Sequence, residues 1–447
     1  MTGGSKVRLA RHPLGEALHG ELHARPPQEL SPPLAVTHVV MTCDEEGRAG
    51  SRRHLARMFE RLHRPPPRED QSHVRLDAGC FRLRWELHTE FVTWTFMRPA
   101  PASFDVAVSH ALATVPSDWL QALPGLHLSG LHLLVGDSGL ADMTALAQRH
   151  LHGHALIAAR VAHGCADVYA DFALHDDSFT RMVVASHSML PRQLGRLVQQ
   201  LLEIDTYRMV ALLGVPVARG AVASIGRSEQ DLAGLAREVR RCTREHESVL
   251  LDRLTRLAAQ VEEQYAATQP RFSASAAYFD LVDRRLRSLR ERPLATHQTI
   301  GEFIERRLGP ARSTCESVAR RQAALARRMS RMSDLLRTRV EVAQQEGSRA
   351  LLAAMNRRQG IQLQVQTTVE GLSVAAITYY VAGLAHYAAE AAHALGWPWS
   401  ADATAAAAIP MAACGVWWSL RKLHRRVRKG GLTACAVPVF RSSNPDA

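Results

Sequence analysis

VEGLSVAAITYYVAGLAHYAA (residues 369–389) and ADATAAAAIPMAACGVWWSL (residues 401–420) are the two apolar stretches that decide the organisation of this chain. Each has about the ~20 residues that an α-helix needs to cross a ~30 Å hydrocarbon core. No Lys or Arg occurs from Gln359 to Leu420, although 55 of the 447 residues are Lys or Arg. The sequence therefore predicts a C-terminal two-helix transmembrane hairpin within residues 359–429, followed by a cytosolic tail at 430–447.

The residues between and around the two stretches predict how the hairpin lies in the membrane. Residues 393–400 contain Gly and Pro, which break helices, and two Trp, which suit the headgroup layer. Arg357 and Arg358 precede the first stretch, and a basic run, Arg421 to Lys429, follows the second. The positive-inside rule then predicts a multi-pass protein of the bacterial inner membrane with both termini in the cytoplasm. The alternative is a buried helical hairpin of a soluble protein, which Pro410 and the Ala-rich second stretch favour.

Four polar side chains in the first span are candidates for function, because ionisable and polar groups are costly inside a membrane. They are Glu370, Ser373, Thr378 and Tyr380. Structural roles are the alternative, since Glu370 falls near one end of the span and tyrosines suit interfaces between helices.

Residues 191–358 predict a long α-helical, coiled-coil-like stalk. Leu232, Leu235 and Val239 follow a helical repeat that resumes at Leu250 and Leu254. The prolines at 270, 293 and 310 predict that the stalk is divided into hairpinned helices, and the last of these is expected to run from residue 311 into the first span.

Residues 1–190 predict an α+β cytosolic head. Short runs rich in β-formers lie between Gly, Pro and Asp residues, and helical patterns separate some of them. The predicted strands are 35–41, 80–88, 91–97, 126–135, 155–161, 167–174 and 181–185, and the predicted helices are 52–62 and 143–151.

Polar motifs of the head form a candidate cluster. The spacing of His12, Glu16, His19 and His23 would place a zinc-competent set on one helix face, although a polar face on a terminal helix is the simpler interpretation. Glu86, His88 and Glu90 alternate, so a strand would present all three on one side. They predict either a cation site or an ion-pair cluster with one of three arginines, Arg25, Arg82 and Arg84.

Catalysis is not predicted. Gly136-Asp137-Ser138-Gly139 is similar to the context of a serine-protease nucleophile, but Leu140 follows and no His/Asp framework is recognisable in the sequence. We interpret it as a turn after a strand. The chain has no P-loop, no GxGxxG at a strand–helix junction and no GxSxG. We expect no catalytic residue, no cofactor, no bound metal and no enzymatic activity.

The kind of basic residue in the chain and the spacing of its cysteines argue against nucleic-acid binding, disulfides and zinc knuckles. The net charge is +12, but Lys occurs only at 6, 422 and 429, so the excess of Arg indicates compositional bias and we predict no nucleic-acid binding. The seven cysteines are far apart and never form CxxC, which argues against disulfides and zinc knuckles.

Several strings together resemble a bacterial family of uncharacterised, predicted membrane-anchored proteins. They are His12 to Leu14, Glu21 to Pro26, Trp85 to Phe91, Leu202 to Met209, Leu335 to Val340 and Thr368 to Ser373. The resemblance spans nearly the whole chain and implies a two-span anchor and a domain of unknown function. The layout of head, stalk and hairpin also looks like that of CorA-type channels, but residues 390–399 lack their Gly-Met-Asn motif.

The leading hypothesis is a membrane-anchored, non-enzymatic scaffold that forms a homo-oligomer or docks a cytosolic protein. A CorA-like ion transporter is the alternative, with the first span lining a pore. A metal-dependent enzyme that uses His23, Glu86 and His88 is a third possibility.

Overall fold

The structure is a computed structural model. It describes residues 12–13, 28–101, 110–138, 143–151, 156–241, 246–295, 297–396, 398 and 400–431. The chain divides into two compact units, residues 1–337 and 338–447.

The first unit contains one nine-stranded mixed sheet with the order β2-β3-β4-β1-β5-β8-β7-β6-β9. The strands are β1 Leu34–Thr42, β2 His73–Asp77, β3 Arg82–Leu87, β4 Phe91–Pro99, β5 Leu126–Asp137, β6 Ile157–Val161, β7 Ala166–Ala170, β8 Thr180–Ser186 and β9 Arg292–Pro293. β5 and β8 pair in parallel, and the other pairs among these strands are antiparallel. The predicted α+β class is confirmed, and all seven predicted strands overlap an observed one.

Eight helices, most of them long, account for most of the rest of the described chain. They are α1 Glu45–Arg61, α2 Ser117–Gln121, α3 Met143–His150, α4 Pro191–Leu212, α5 Gly214–Arg241, α6 Glu247–Leu289, α7 Ile300–Ala394 and α8 Ala401–Gly431. Two short 3₁₀ turns lie at Ala111–Thr114 and Ala162–Gly164.

Helices cover both faces of the sheet, because its strands are apolar on both sides. One face packs on α4, α6 and the start of α7, where Leu201, Phe279 and Ile304 meet Leu133 and Val184. The opposite face packs on α1 and α2 through a tryptophan-rich core, and on α3 through a smaller one. The sheet is therefore the middle layer of three, and polar residues on its α4 side are enclosed.

The predicted stalk pattern packs within this chain. Leu232 and Leu235 of α5 and Leu254 of α6 share one apolar core with Val318 and Leu325 of α7. The heptad-like stripe is thus the buried face of a three-helix arrangement, which satisfies the amphipathic pattern without a second copy of the chain.

The prediction that prolines 270 and 310 separate helices is wrong, since they lie inside α6 and α7. A proline inside a helix removes one backbone hydrogen bond. Beside Pro270, Phe272 is buried and the Thr268 hydroxyl lies 3.0 Å from Oε1 of Gln322 in α7. We attribute the continuity of α6 to this packing, and α7 correspondingly begins at Ile300, before Pro310.

The second unit contains the C-terminal part of α7 and all of α8, with a turn at Gly396 (φ 94°) between them. Two helical stretches of the described chain are long and apolar enough to cross a membrane by length and composition. They are Pro191–Arg241, whose most apolar window is one-third buried, and Ile300–Ala391, whose most apolar window is fully unburied. The stretch Pro191–Arg241 comprises α4 and α5, and its apolar residues contribute to the core of the first unit.

Candidate functional site

A layer of buried polar side chains lies between the sheet and α4. We call it the polar layer. Its members come from four strands and from α4, and all are buried: His38, Arg84, Glu86, Thr93, Thr95, Ser129, Asp205 and Thr206. Period-two alternation explains their common orientation, since the intervening residues of β3 and β4, such as Trp85 and Trp94, face α1 instead. Buried polar groups are costly unless they are hydrogen-bonded, so the partners of each define the site.

His38 is the centre of the polar layer. Its Nδ1 lies 2.8 Å from Oγ1 of Thr95, and its Nε2 lies 2.9 Å from Oγ1 of Thr206. The Thr206 hydroxyl donates its single proton to the carbonyl of Leu202 at 2.9 Å, so it accepts from His38. The proton of the neutral imidazole is therefore on Nε2, and Nδ1 accepts from Thr95.

His38 is also held uncharged. Its pKa is lowered from 6.5 to about 4, first by burial and then by the charge of the nearby Arg84 guanidinium, which together outweigh the carboxylates of Asp205 and Glu86. The tautomer deduced from the hydrogen bonds and the lowered pKa agree, because both require a ring with one acceptor nitrogen. His38 thus acts as a neutral link between β1, β4 and α4 at physiological pH.

Arg84 and Glu86 form a buried ion pair on β3. Nε of Arg84 lies 3.5 Å from Oε2 of Glu86, and Thr93 contacts the same oxygen at 3.4 Å. Burial raises the pKa of the Glu86 carboxyl, but the charge of Arg84 and the neighbouring histidines outweigh it, so the pKa is lowered overall. Of the two sequence-based alternatives for Glu86, this geometry is that of the ion pair with Arg84.

Asp205 extends the polar layer to the next strand. Its Oδ2 accepts from Ser129 of β5 at 3.1 Å, and its Oδ1 accepts from the guanidinium of Arg208 at 2.6 Å. The Arg208 guanidinium also lies over the Phe172 ring, 4.9 Å from its centroid. Each carboxylate oxygen of Asp205 is thereby engaged by a donor, one from the sheet and one from α4 itself.

The polar layer encloses a small cavity of about 30 Å³, lined by members of the layer and by His88, Leu202, Glu203 and Tyr207. A cavity of this size holds a water molecule or two, and it is too small for an organic substrate. The polar layer can therefore hold the sheet against α4. An organic ligand would have to bind at another place on the protein.

Glu90 and His88 lie in the hairpin after β3 and not on a continued strand. The ring of His88 stacks on Phe91 with centroids 4.3 Å apart, and Glu90 bonds Nη1 of Arg271 in α6 at 2.7 Å. The predicted common strand face for Glu86, His88 and Glu90 is wrong, because β3 ends at Leu87. Glu90 and Arg271 instead line an open cleft of about 850 Å³ beside the start of α1.

The N-terminal candidates are only partly covered. His12 is exposed, whereas His23 and Arg25 lie outside the described residues. Across the described ranges there is no group of three or more His, Cys, Asp or Glu side chains that could hold a metal ion.

The span candidates belong to the second unit. Ser373 and Thr378 donate their hydroxyls to the carbonyls of Val369 and Val374, at 3.0 and 2.7 Å. Tyr380 is exposed and meets Tyr379 edge-on, and the side chain of Glu370 lies outside the described set. Pore lining by these residues, as in the CorA-like alternative, stays a prediction.

Sequence reasoning missed His38, Thr206 and Arg271. One available signal was the pair of strings Trp85 to Phe91 and Leu202 to Met209, which carry the family resemblance and meet here at the polar layer. What no sequence pattern indicates is that residues as distant as His38 and Thr206 share a hydrogen bond.

The fold and the site together define an α+β protein with a mixed sheet, long helices and a buried histidine, arginine and carboxylate layer. The chain belongs to the family described as protein of unknown function (DUF3422), which matches residues 10–427. The predicted domain of unknown function over most of the chain is thereby confirmed. No curated protein and no solved structure matches the chain.

Proposed function

We propose that this protein is anchored in the bacterial inner membrane by the hairpin of α7 and α8, and that its N-terminal unit is a cytosolic scaffold. The observation that carries the proposal is the exposure of large apolar side chains over a broad face of α7 between residues 369 and 387. Leu372, Tyr379, Leu384 and Tyr387 are each more than two-thirds exposed. A soluble protein seldom leaves such an apolar surface in water, whereas lipid covers it at no cost.

The ends of the hairpin support the same proposal. The Arg421 guanidinium lies 4.6 Å from the centroid of Trp417, and the Lys422 ammonium lies 5.1 Å from that of Trp418. Aromatic rings and basic groups of this kind suit the membrane interface, where the ring is in the headgroup layer and the charge reaches water. The range 359–420, which contains no Lys or Arg, ends at the same place.

The interior of the proposed first span also meets the requirement that hydrocarbon imposes on polar groups. Ser373 and Thr378 satisfy their hydroxyls on carbonyls of their own helix. Neither side chain would then enter lipid with an unbonded donor.

A homo-oligomer is proposed from the part of α7 that precedes the span. Val342, Leu351, Leu352, Met355 and Ile361 are exposed there. A single helix that exposes apolar residues over several turns gains stability by packing against an identical helix. The expected partner for this stretch is a second copy of the chain. The oligomer would then hold a fixed number of N-terminal units together.

The anchor is tested on the full-length chain by fractionation of cells and a sodium carbonate wash of the membranes. Two arginines at the middle of the span, Ile377→Arg with Val381→Arg, would each add about 3 kcal/mol to the free energy of insertion. We expect the parent chain to stay in the washed membranes and the double variant to leave them.

The matched control places two arginines at valines of similar exposure in the first unit, Val222→Arg with Val249→Arg, which are 41% and 55% exposed. This variant should fractionate like the parent chain. Release of the parent chain by carbonate, or equal retention of the Ile377→Arg/Val381→Arg variant, contradicts the anchor.

A further inference from the structure

Ser138, His187 and Asp167 form a side-chain relay at one edge of the sheet, a chain of two contacts in which His187 lies between the other two. Oγ of Ser138 lies 2.8 Å from Nδ1 of His187, and Nε2 of His187 lies 2.9 Å from Oδ2 of Asp167. A hydroxyl, an imidazole and a carboxylate in this order are the components of an activated serine nucleophile. None of the three belongs to the polar layer.

The topology of the sheet brings the three residues together. Ser138 follows β5 and His187 follows β8, and these strands are parallel, so their carboxyl ends meet at one edge. The backbone fixes the register, because the N–H of Ser138 donates to the carbonyl of Ser186 at 3.0 Å. Asp167 is opposite Ala185 at the start of β7. Ligands of sheets with parallel strands bind outside the carboxyl ends of those strands, and the relay is in that position.

The carboxylate of Asp167 is held in place and charged by Arg160 of β6. Nε of Arg160 bonds Oδ1 at 2.7 Å, and Nη2 bonds Oδ2 at 3.0 Å. Burial raises the pKa of Asp167, but its contacts with Arg160 and His187 lower it more. A negative Oδ2 beside Nε2 favours the tautomer of His187 with its proton on Nε2, which leaves the Nδ1 lone pair towards Ser138.

A reagent can reach this serine. Ser138 is exposed, the His187 side chain is 33% exposed, and that of Asp167 is 7% exposed. Solvent exposure thus decreases from the hydroxyl of Ser138 to the carboxylate of Asp167. An acyl-transfer site requires this order, because the nucleophile must contact substrate while the carboxylate is shielded from water.

We propose that Ser138 is a nucleophile that accepts the acyl group of a carboxylic ester, with His187 as its general base and Asp167 as a positioning residue. Oγ forms a bond to the carbonyl carbon while its proton passes to Nδ1 of His187. The bond from that carbon to the alcohol oxygen then breaks, and the leaving alcohol takes the proton. Water releases the acid by the same two steps. The activity goes beyond the anchored scaffold and departs from the sequence-based expectation of no enzyme.

The test is labelling of the full-length protein in detergent with a fluorophosphonate, in which Oγ bonds to phosphorus and fluoride leaves. Peptide mass spectrometry locates the adduct, and the labelling rate is measured for each variant. We expect one adduct, on Ser138, that Ser138→Ala abolishes. His187→Gln keeps a hydrogen-bonding group but cannot take a proton, so labelling should slow about 100-fold or more.

Matched controls separate this site from general reactivity. Ser273 is an exposed serine of α6 and His163 is an exposed histidine, so Ser273→Ala and His163→Gln should label like the parent chain. Asp167→Asn should slow labelling, and Asp167→Glu, which restores the carboxylate, should recover part of the rate. The absence of an adduct on Ser138, or an unchanged rate in His187→Gln, overturns the proposal.

Discussion

Thr206 accepts the Nε2 proton of His38 across a 2.9 Å hydrogen bond, and these two buried residues lie 168 positions apart in the chain. The bond joins β1, an interior strand of the sheet, to α4, the helix that covers it. Because Thr206 gives its own proton to Leu202, this contact has a fixed direction, and its removal leaves a buried N–H of His38 without an acceptor.

The first prediction concerns Thr206→Val, which keeps the shape of the side chain and removes the acceptor. We expect the free energy of unfolding to fall by about 1–3 kcal/mol, the cost of leaving a buried donor unsatisfied. Urea titration followed by tryptophan fluorescence measures it. Thr255→Val is the control, since the exposed Thr255 of α6 makes the same bond to the carbonyl four residues earlier. Its effect should stay within about 0.5 kcal/mol.

The second prediction concerns acid. The pKa of His38 is about 4 in the folded chain against 6.5 for an unperturbed histidine of the unfolded chain, so the unfolded state takes up the proton first as pH falls. Stability contributed by neutral His38 is complete above pH 6.5 and is lost progressively towards pH 4. Its loss by pH 5 should be about 2 kcal/mol.

His38→Gln cannot titrate and isolates this contribution. Other histidines with lowered pKa values, such as His132, act in both proteins and cancel in the comparison. The drop in unfolding free energy between about pH 7 and pH 5 should therefore be smaller in His38→Gln than in the parent chain. Equal pH slopes in the two proteins would show that His38 is not held neutral.

The third prediction concerns Gly195 of α4. A Cβ at this position would lie 1.7 Å from the carbonyl oxygen of Gln28, which is backbone and cannot turn away. Gly195→Ala should destabilise the chain by several kcal/mol, although alanine favours a helix by about 1 kcal/mol. Gly220→Ala is the control, because no atom beyond its chain neighbours and the adjoining backbone of its own helix lies within 4 Å of its Cβ position. The same urea titration should show it unchanged or slightly stabilised.

The fourth prediction tests the orientation of the proposed anchor. Ser400 lies in the turn between α7 and α8. A membrane-impermeant maleimide should label Ser400→Cys in intact spheroplasts and leave the parent chain unlabelled. Permeabilised membranes provide the internal control, since the exposed native Cys80 and Cys165 should then react in both proteins. Labelling of Ser400→Cys only after permeabilisation would place the turn on the cytosolic side.

Local sequence predicted local structure well and long-range pairing poorly. Alternating apolar residues placed β1, β4 and β5 within a few residues, because burial on one or both faces fixes that pattern. β2 was missed, since its HVRLD sequence has two charged residues and is paired with only one neighbour. Pro270 misled the reasoning because tertiary packing overrode its helix-breaking tendency.

The same limit applies to the sites. Arg84 is two residues from Glu86, so the sequence alone could include it among the three arginines predicted to pair with Glu86. Arg271, the partner of Glu90, is 181 residues away and could not be chosen among 52 arginines. Ser138 was considered and interpreted as a turn, which it is. His187 is brought to it by the parallel pairing of β5 and β8, and Asp167 by the antiparallel pairing of β7 with β8.

The last strand of the sheet has a consequence for the order of events during synthesis. β9 ends at Pro293, so all nine strands have left the peptidyl-transferase centre before Val369, the first residue of the proposed anchor, is made. At ~5–20 residues per second the interval between them lasts several seconds, longer than the folding of many single domains. The N-terminal unit can therefore mature on the ribosome while the chain is still untethered, and a nascent chain stalled before Val369 would already carry a folded sheet.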